Sequence, residues 1–87
     1  MTNLLTMLKS LASTKAIPEL QFLFNRHKVW IHVKSDKPYM VDDVAYNCTN
    51  ENDGQILVIY KPLYENFDHP VYAREMGEFL EKFMVQI

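Results

Sequence analysis

The feature that most constrains the fold of this chain is a run of five consecutive apolar residues, Ile56 to Tyr60. Such a run has strand length and is rich in β-branched side chains, which is typical of a buried β-strand. We therefore expect it to be the central and most buried strand of a sheet. A turn signal, Asp53-Gly54, precedes the run, and Pro62 follows it at the start of an irregular stretch.

A second strand is predicted over Tyr39 to Tyr46, where apolar side chains alternate until the phase changes at Asp42-Asp43. That change of phase predicts a β-bulge or a bend. Residues 47–54 are polar and rich in turn formers, so we expect a loop between the two strands. The sequence therefore predicts a hairpin over residues 39–60.

Another strand is predicted over residues 29–34, followed by a turn over residues 35–38. Its side chains alternate between two faces, one formed by Val29, Ile31 and Val33 and the other by Trp30, His32 and Lys34. This alternation indicates a strand that is buried on one face.

The N-terminal segment is predicted to be an amphipathic helix that Thr2 caps and that ends near residue 16, because Pro18 disfavours its continuation. Its apolar stripe consists of Leu4, Leu8 and Leu11, joined by Leu5 and Ala12. The stripe either packs on the sheet or forms an interface with a partner or a second copy, because so small a core can leave apolar surface uncovered.

The segment after Pro18 fits two patterns. Leu20, Phe22 and Phe24 alternate as in a strand, whereas Leu20, Leu23 and Phe24 suit a helix that begins at Pro18. The sequence leaves the choice between them open.

A short helix near the C-terminus is predicted from helical spacing of the apolar residues Met76, Phe79, Leu80 and Phe83. After it, the alternation of Phe83, Val85 and Ile87 predicts a last strand. Before it, Tyr64 and Phe67 are expected to close one end of the core.

The composition indicates one domain. At 87 residues and 48% hydrophobic content, the chain has material for one core, so we expect a single α+β domain over residues 1–87. The only cysteine, Cys48, has no partner for an internal disulfide, which favours a cytoplasmic location. Neither a signal peptide nor a membrane span is predicted. A net charge of −2 with scattered Lys and Arg disfavours binding to duplex nucleic acid.

The sequence lacks the residue patterns typical of catalysis or metal binding. Its three histidines have no metal-ligand spacing with one another or with Cys48. Asp42 and Asp43 point to opposite faces of an extended strand, so they do not form a pair of acids. We therefore predict no catalytic residue, no metal, no cofactor and no reactive role for the Cys48 thiol.

From Trp30 onward, short motifs follow a recognisable order. They are Trp-x-His-x-Lys at 30–34, Tyr-x-Val leading to Val44-Ala45, an apolar strand ending in Tyr60, Leu63-Tyr64, Tyr72-Ala73-Arg74 before Met76, and Phe79-Leu80-Glu81-Lys82. This order resembles a family of small bacterial and phage domains known as domain-of-unknown-function family 1653. The resemblance covers Trp30 to Phe83 and implies a small SH3-like antiparallel β-barrel or sheet at about residues 28–87. The helix at residues 1–16 would then be an addition to it.

The chain departs from this family at several positions. The glycine usual after the first Lys is Ser35, the usual Trp is Tyr72, and the usual Pro after the Arg is Glu75. The family has no agreed activity, so the resemblance implies a fold rather than a function.

A set of aromatic and cationic side chains is expected to converge at one end of the barrel. It consists of Trp30, His32, Lys34, Tyr60, Tyr64, Tyr72 and Arg74. Flat rings and positive charges together suit a ligand that carries a phosphate or a carboxylate, such as a nucleotide. The alternative is that the rings pack in the core or at its rim, and that Arg74 forms a structural ion pair with a residue such as Glu75 or Glu78.

The leading functional hypothesis is a non-enzymatic binding module that acts through protein–protein interaction or self-association, for example as a homodimer. The distribution of the similar family suggests a phage or mobile-element accessory protein that inhibits or sequesters a host component. A pocket for a nucleotide or another small anionic ligand is the alternative. A small hydrolase-type enzyme with His32 as its base is a further hypothesis, and the acidic balance disfavours binding of single-stranded nucleic acid.

Overall fold

The computed structural model describes residues 3–65 and 71–86 of the chain. In chain order these residues form α1 (Leu4–Ser13), α2 (Ile17–Arg26), β1 (Val29–His32), β2 (Lys37–Tyr46), one 3-10 turn (Asn50–Asn52), β3 (Ile56–Pro62), β4 (Tyr72–Glu75), α3 (Met76–Lys82) and β5 (Phe83–Val85). The α+β class, with an N-terminal helix, an antiparallel sheet and a short C-terminal helix, is confirmed. None of the helices in these residues has both the length and the apolar character needed to cross a membrane.

The strands form one antiparallel sheet in the order β4-β3-β2-β1-β5. Because β4 and β5 lie at opposite edges, the sheet is open rather than closed into a barrel. The predicted hairpin is confirmed, since β2 pairs with β3 as far as Tyr46 opposite Ile56. The register of this pair shifts between Val41 and Asp43, which confirms the predicted bulge.

The strand β3 is the most buried strand, but the central strand is β2. Ile56, Val58 and Tyr60 are buried, whereas Leu57 and Ile59 are only partly buried. The alternation arises because helices cover one face of the sheet only. The prediction that β3 is the central strand is therefore wrong, because β2 occupies the middle of the sheet.

Two helices precede the sheet. Asn3 caps α1, because its side-chain oxygen accepts a hydrogen bond from the Thr6 amide at 2.8 Å. The predicted cap, Thr2, lies outside the described residues. Pro18 lies in the first turn of α2, a position that suits proline, and residues 20–24 are accordingly helical.

The apolar stripe of α1 packs within the chain, against α2 and α3. Leu8 is 1% exposed, and Leu4 and Leu11 pack against the core, whereas Leu5 remains exposed. Leu8 belongs to the same hydrophobic cluster as Val58 of β3. The helix α1 therefore shares one core with the sheet.

The helices pack on one face of the sheet, which we call the inner face. Its positions are Trp30, His32, Lys37, Tyr39, Val41, Val44, Tyr46, Ile56, Val58, Tyr60, Pro62, Tyr72, Arg74, Phe83 and Val85. The intervening positions form the outer face, which consists of Val29, Ile31, Pro38, Met40, Asp43, Ala45, Leu57, Ile59, Lys61, Ala73, Glu75 and Met84. The buried face of β1 is thus the face of Trp30, whereas Val33, just beyond the strand, is 58% exposed.

The C-terminal part of the chain supplies both edges of the sheet. The strand β4 was not predicted, whereas the short helix α3 and the last strand β5 are confirmed. Glu75 caps α3 by accepting hydrogen bonds from the amides of Gly77 and Glu78. The predicted roles of Phe67 and Ile87 concern positions outside the described residues.

Candidate functional site

A cavity of about 190 Å³ lies on the inner face of the sheet. Each of the five strands contributes to its lining, which consists of His32, Tyr39, Tyr60, Tyr72, Arg74 and Phe83. We call this cavity the tyrosine pocket.

The antiparallel register brings these side chains together. Tyr60 on β3 lies opposite Tyr72 on β4, and His32 on β1 lies opposite Phe83 on β5. Tyr39 comes from the central strand, between these two pairs. Residues opposite each other in an antiparallel pair share a face, so the pairing aligns the pocket's walls across the whole sheet.

Tyr39 is the ring that joins the two sides of the pocket. Its centroid lies 5.5 Å from that of Tyr60, 5.5 Å from that of Tyr64 and 5.4 Å from that of Phe83, each time edge to face. Tyr60 and Tyr72 stack instead, with centroids 5.6 Å apart and planes 24° apart. Both arrangements are favourable for aromatic pairs, so the walls are held in place by ring packing.

Arg74 supplies the charge of the pocket. Its Nε donates a hydrogen bond to the Tyr60 hydroxyl at 3.1 Å, and its Nη1 lies 2.6 Å from Oε1 of Glu78. The hydrogen bond to Tyr60 raises the pKa of Arg74 against the opposing effect of burial, and Glu78 raises it further. The ion pair with Glu78 is one of the alternatives that the sequence left open. Even with this partner, the Arg74 side chain is 29% exposed, so part of the guanidinium remains accessible at the pocket.

His32 is held in one orientation by the turn that follows β1. Its Nδ1 lies 3.3 Å from the Ser35 amide nitrogen, which donates to it, and 2.8 Å from the Ser35 hydroxyl. An amide donor requires a lone pair on Nδ1, so the neutral ring carries its proton on Nε2. Burial lowers the pKa of His32, and the charges of Arg74, Lys82 and Lys34 lower it further.

Tyr39 and Tyr64 meet through their hydroxyl groups, which are hydrogen-bonded to each other. Burial raises the pKa of Tyr39, and the hydrogen bond to Tyr64 raises it further. The Tyr39 phenol is therefore protonated at neutral pH. Nearby, Nζ of Lys37 lies 4.7 Å from the ring centroid of Tyr64, which is a cation–π distance.

Most of the aromatic and cationic set expected from the sequence lies together. His32, Tyr60, Tyr72 and Arg74 line the pocket, and Tyr64 adjoins it through Tyr39.

Two members of the set lie elsewhere. Trp30 is 2% exposed, packs against Phe24 and Phe79, and donates a hydrogen bond from Nε1 to the His27 carbonyl at 2.7 Å. Lys34 lies exposed in the turn after β1 and contributes its charge rather than a wall of the pocket. Placing Trp30 at the ligand site is therefore corrected, because its ring is part of the hydrophobic core.

Two pocket residues, Tyr39 and Phe83, were not among those expected. The sequence predicts only that Tyr39 lies in a strand and that Phe83 lies in the C-terminal helix or the last strand. The sequence did contain a signal that Tyr39 belongs to the site. Alternation along β2 places Tyr39 on the same face as Val41, and the pairing of the hairpin places this face beside Tyr60 of β3.

Within residues 3–65 and 71–86, no group of three His, Cys, Asp or Glu side chains could hold a metal ion. Comparison of the chain with protein-family models, with curated proteins and with solved structures finds no match. Membership of domain-of-unknown-function family 1653 therefore stays a prediction.

Proposed function

We propose that this protein is a non-enzymatic binding module that acts through protein–protein interaction, and that the tyrosine pocket receives an acidic side chain of the partner. The observation that carries the proposal is the chemistry of the lining. Arg74, Tyr60 and His32 each bring a hydrogen-bond donor, and none of the described lining residues is a carboxylate.

Each of these donors has capacity left. The Tyr60 oxygen accepts from Arg74 Nε, so its own proton remains to be donated. Among the described residues, Nη2 of Arg74 and Nε2 of His32 make no hydrogen bond. A carboxylate has two oxygens that accept hydrogen bonds, and such bonds are stronger when the acceptor is charged.

The electrostatic surroundings favour an anion. Burial is the largest cause of the lowered pKa of His32, but the charges of Arg74, Lys82 and Lys34 lower it as well, which indicates a positive potential at the imidazole. Lys37 adds a further cation beside Tyr64. A cleft with positive charge and apolar walls concentrates anionic groups from solution.

The size of the pocket favours one side chain over a whole small molecule. Its volume of about 190 Å³ is below the range of roughly 300–1,000 Å³ that is usual for sites of drug-sized ligands. A glutamate or aspartate side chain fits this space, and the remainder of the partner would lie on the surface outside it. This supports a protein partner over the alternative of a nucleotide.

The orientation of His32 supports a function without catalysis. A base acting in the pocket needs an unprotonated nitrogen that is available to substrate. The Nδ1 lone pair is already used by Ser35, and Nε2 carries the proton. Within this proposal the binding takes place in the cytoplasm, and the partner would be a host component that the protein inhibits or sequesters.

The proposal is tested by NMR titration of the full-length, isotope-labelled chain with glutamate blocked at both its amino and carboxyl groups. Glutamine blocked in the same way is the neutral control ligand. We expect the glutamate probe to shift the amide signals around Tyr60 and Arg74. The expected Kd is in the millimolar range, which corresponds to a binding free energy of about 4 kcal/mol. Equal shifts with both probes, or none with glutamate, would overturn the proposal.

Two matched variants establish where the probe binds. Arg74→Gln should abolish the shifts, whereas Arg26→Gln, which removes the same charge from the exposed end of α2, should leave them unchanged. Retained binding in Arg74→Gln would contradict the assignment of the pocket. Adenosine monophosphate serves as a third probe, and if it binds at these residues at least tenfold more tightly than glutamate, the small-ligand alternative replaces the acidic side chain.

A further inference from the structure

The outer face of the sheet is an apolar surface without cover from the described helices. All three helices of residues 3–65 and 71–86 pack on the inner face. An antiparallel sheet with one face in water normally alternates apolar and polar side chains. Here many of the outward positions carry apolar side chains, namely Val29, Ile31, Met40, Leu57, Ile59 and Met84. Apolar residues at such positions are typical of a sheet that is covered on both faces.

Charged side chains near this face are either paired on it or turned away from it. Asp42 and Lys61 form a salt bridge with their atoms 3.6 Å apart. Asp43 accepts a hydrogen bond from Gln21 of α2, and Glu75 caps α3. The outer face is thus apolar around one neutral ion pair.

We propose that the outer face is the interface between two copies of this chain, which pack sheet against sheet about a two-fold axis. The electrostatics fit this partner, because two copies of a neutral face do not repel each other. A two-fold axis also lets Asp42 and Lys61 of one copy approach the opposite charges of the other. A strongly charged partner, in contrast, would find no complementary charge there.

The area of the face is consistent with a dimer. Five strands spaced about 4.8 Å apart span roughly 24 Å, and the seven paired residues along β2 and β3 span about 20 Å. Each copy would therefore cover about 500 Å², giving a total of about 1,000 Å², which is the lower limit for a specific interface. An interface near this lower limit is typical of a weak, reversible dimer.

The shape of the protein supports the same arrangement. Its shortest extent is 21 Å, against 37 Å and 35 Å in the other directions. This thickness corresponds to one helical layer on one sheet. Packing two sheets about 10 Å apart would produce four layers, with the helices outside and both apolar faces covered.

Analytical ultracentrifugation of the full chain between about 1 and 500 µM tests the proposal. Wild-type protein should change from monomer to a species of twice the chain mass across this range. Ile31→Glu places a charge on the face, between Pro38 and Met84, and should weaken the dimer at least tenfold. Met84→Glu, at a side chain that is 60% exposed, should act in the same direction without disturbing the fold.

The control is Phe22→Glu, which introduces the same charge at a side chain of α2 that is 59% exposed, in the helical layer rather than on the sheet. It should leave the dimer unchanged. A wild-type chain that stays monomeric throughout, or a dimer that Phe22→Glu disrupts and Met84→Glu does not, would overturn the proposal. Arg74→Gln should not affect dimerisation, so this proposal and the proposed function can fail independently.

Discussion

The Nε atom of Arg74 donates a hydrogen bond to the hydroxyl of Tyr60, and this contact joins neighbouring strands at the wall of the tyrosine pocket. On its other side the guanidinium meets Glu78 of α3. The cation of the pocket is therefore oriented by a neutral partner within the sheet and partly neutralised by an acidic one in a helix. This difference between the two partners allows their contributions to be separated experimentally.

We expect Glu78→Gln to increase the affinity of the pocket for blocked glutamate, because Glu78 competes with the ligand for the Arg74 guanidinium. The Glu78 side chain is half exposed, so the gain should be modest, about two- to fivefold, as for an ion pair of roughly 0.5–1 kcal/mol. NMR titration measures the change. Glu81→Gln, on the exposed side of the same helix, should have no comparable effect, and an unchanged affinity in Glu78→Gln would show that no such competition exists.

Protonation of His32 should make part of the stability dependent on pH. Burial, followed by the charges of Arg74, Lys82 and Lys34, lowers its pKa below the usual 6.5 in the folded protein. The histidine therefore takes up a proton more readily in the unfolded chain than in the folded protein. The stability that neutral His32 contributes is fully present above about pH 6.5 and is lost as the pH falls below that value. Urea unfolding at pH 7.5 and 5.5 should show a smaller loss of stability for His32→Gln than for the wild type; an equal loss would contradict this.

The same histidine reports the charge of Arg74 directly. In Arg74→Gln the pKa of His32 should rise, because one of the cations that lower it is gone, but it should stay below 6.5, because burial is the larger cause. The imidazole signals followed by NMR against pH give this value. Lys61→Gln removes a charge from the outer face and should leave the titration as in the wild type.

Trp30→Phe should destabilise the protein without affecting the pocket. The substitution leaves the His27 carbonyl without its indole donor and opens space beside Phe24 and Phe79. We expect a loss of about 1–3 kcal/mol in the free energy of unfolding, measured by urea titration with circular dichroism. The folded variant should bind blocked glutamate as tightly as the wild type does. A loss of binding without a loss of stability would show that Trp30 does contribute to the ligand site.

Leu8→Ala and Leu5→Ala remove the same atoms from the same helix at very different depths. Leu8 is 1% exposed and Leu5 is 40% exposed. The first substitution should cost about 2–5 kcal/mol in the free energy of unfolding and the second about 0.5 kcal/mol or less. Similar small losses for both would mean that α1 is dispensable for the core.

The local elements of the fold were largely predictable, because their signals are contained in short stretches of sequence. The hairpin of β2 and β3 follows from two strand patterns and a polar loop, and the bulge follows from the change of phase at Asp42-Asp43. Residues 20–24 satisfied two periods at once, and packing against the sheet determined which one applies. The short strand β4 has too few residues for any period to be detected.

The candidate site was predicted less well, because alternation identifies the face of a residue but not its depth. Trp30 and His32 share a face, yet the helices bury Trp30 and leave His32 at the pocket. Tyr39 reaches the site only through the order of the strands, which places β2 in the middle of the sheet. That order depends on where β4 and β5 pair, and such long-range pairing is not encoded in any one segment.

The burial of Trp30, the only tryptophan of the chain, gives the protein two separate optical reporters. Its indole emission follows the exposure of the hydrophobic core to water and is therefore a measure of unfolding. The tyrosine absorbance in the near ultraviolet comes largely from rings at the pocket, so it responds to what occupies that cavity. A single unlabelled sample can thus distinguish a ligand that fills the pocket from one that merely stabilises the fold.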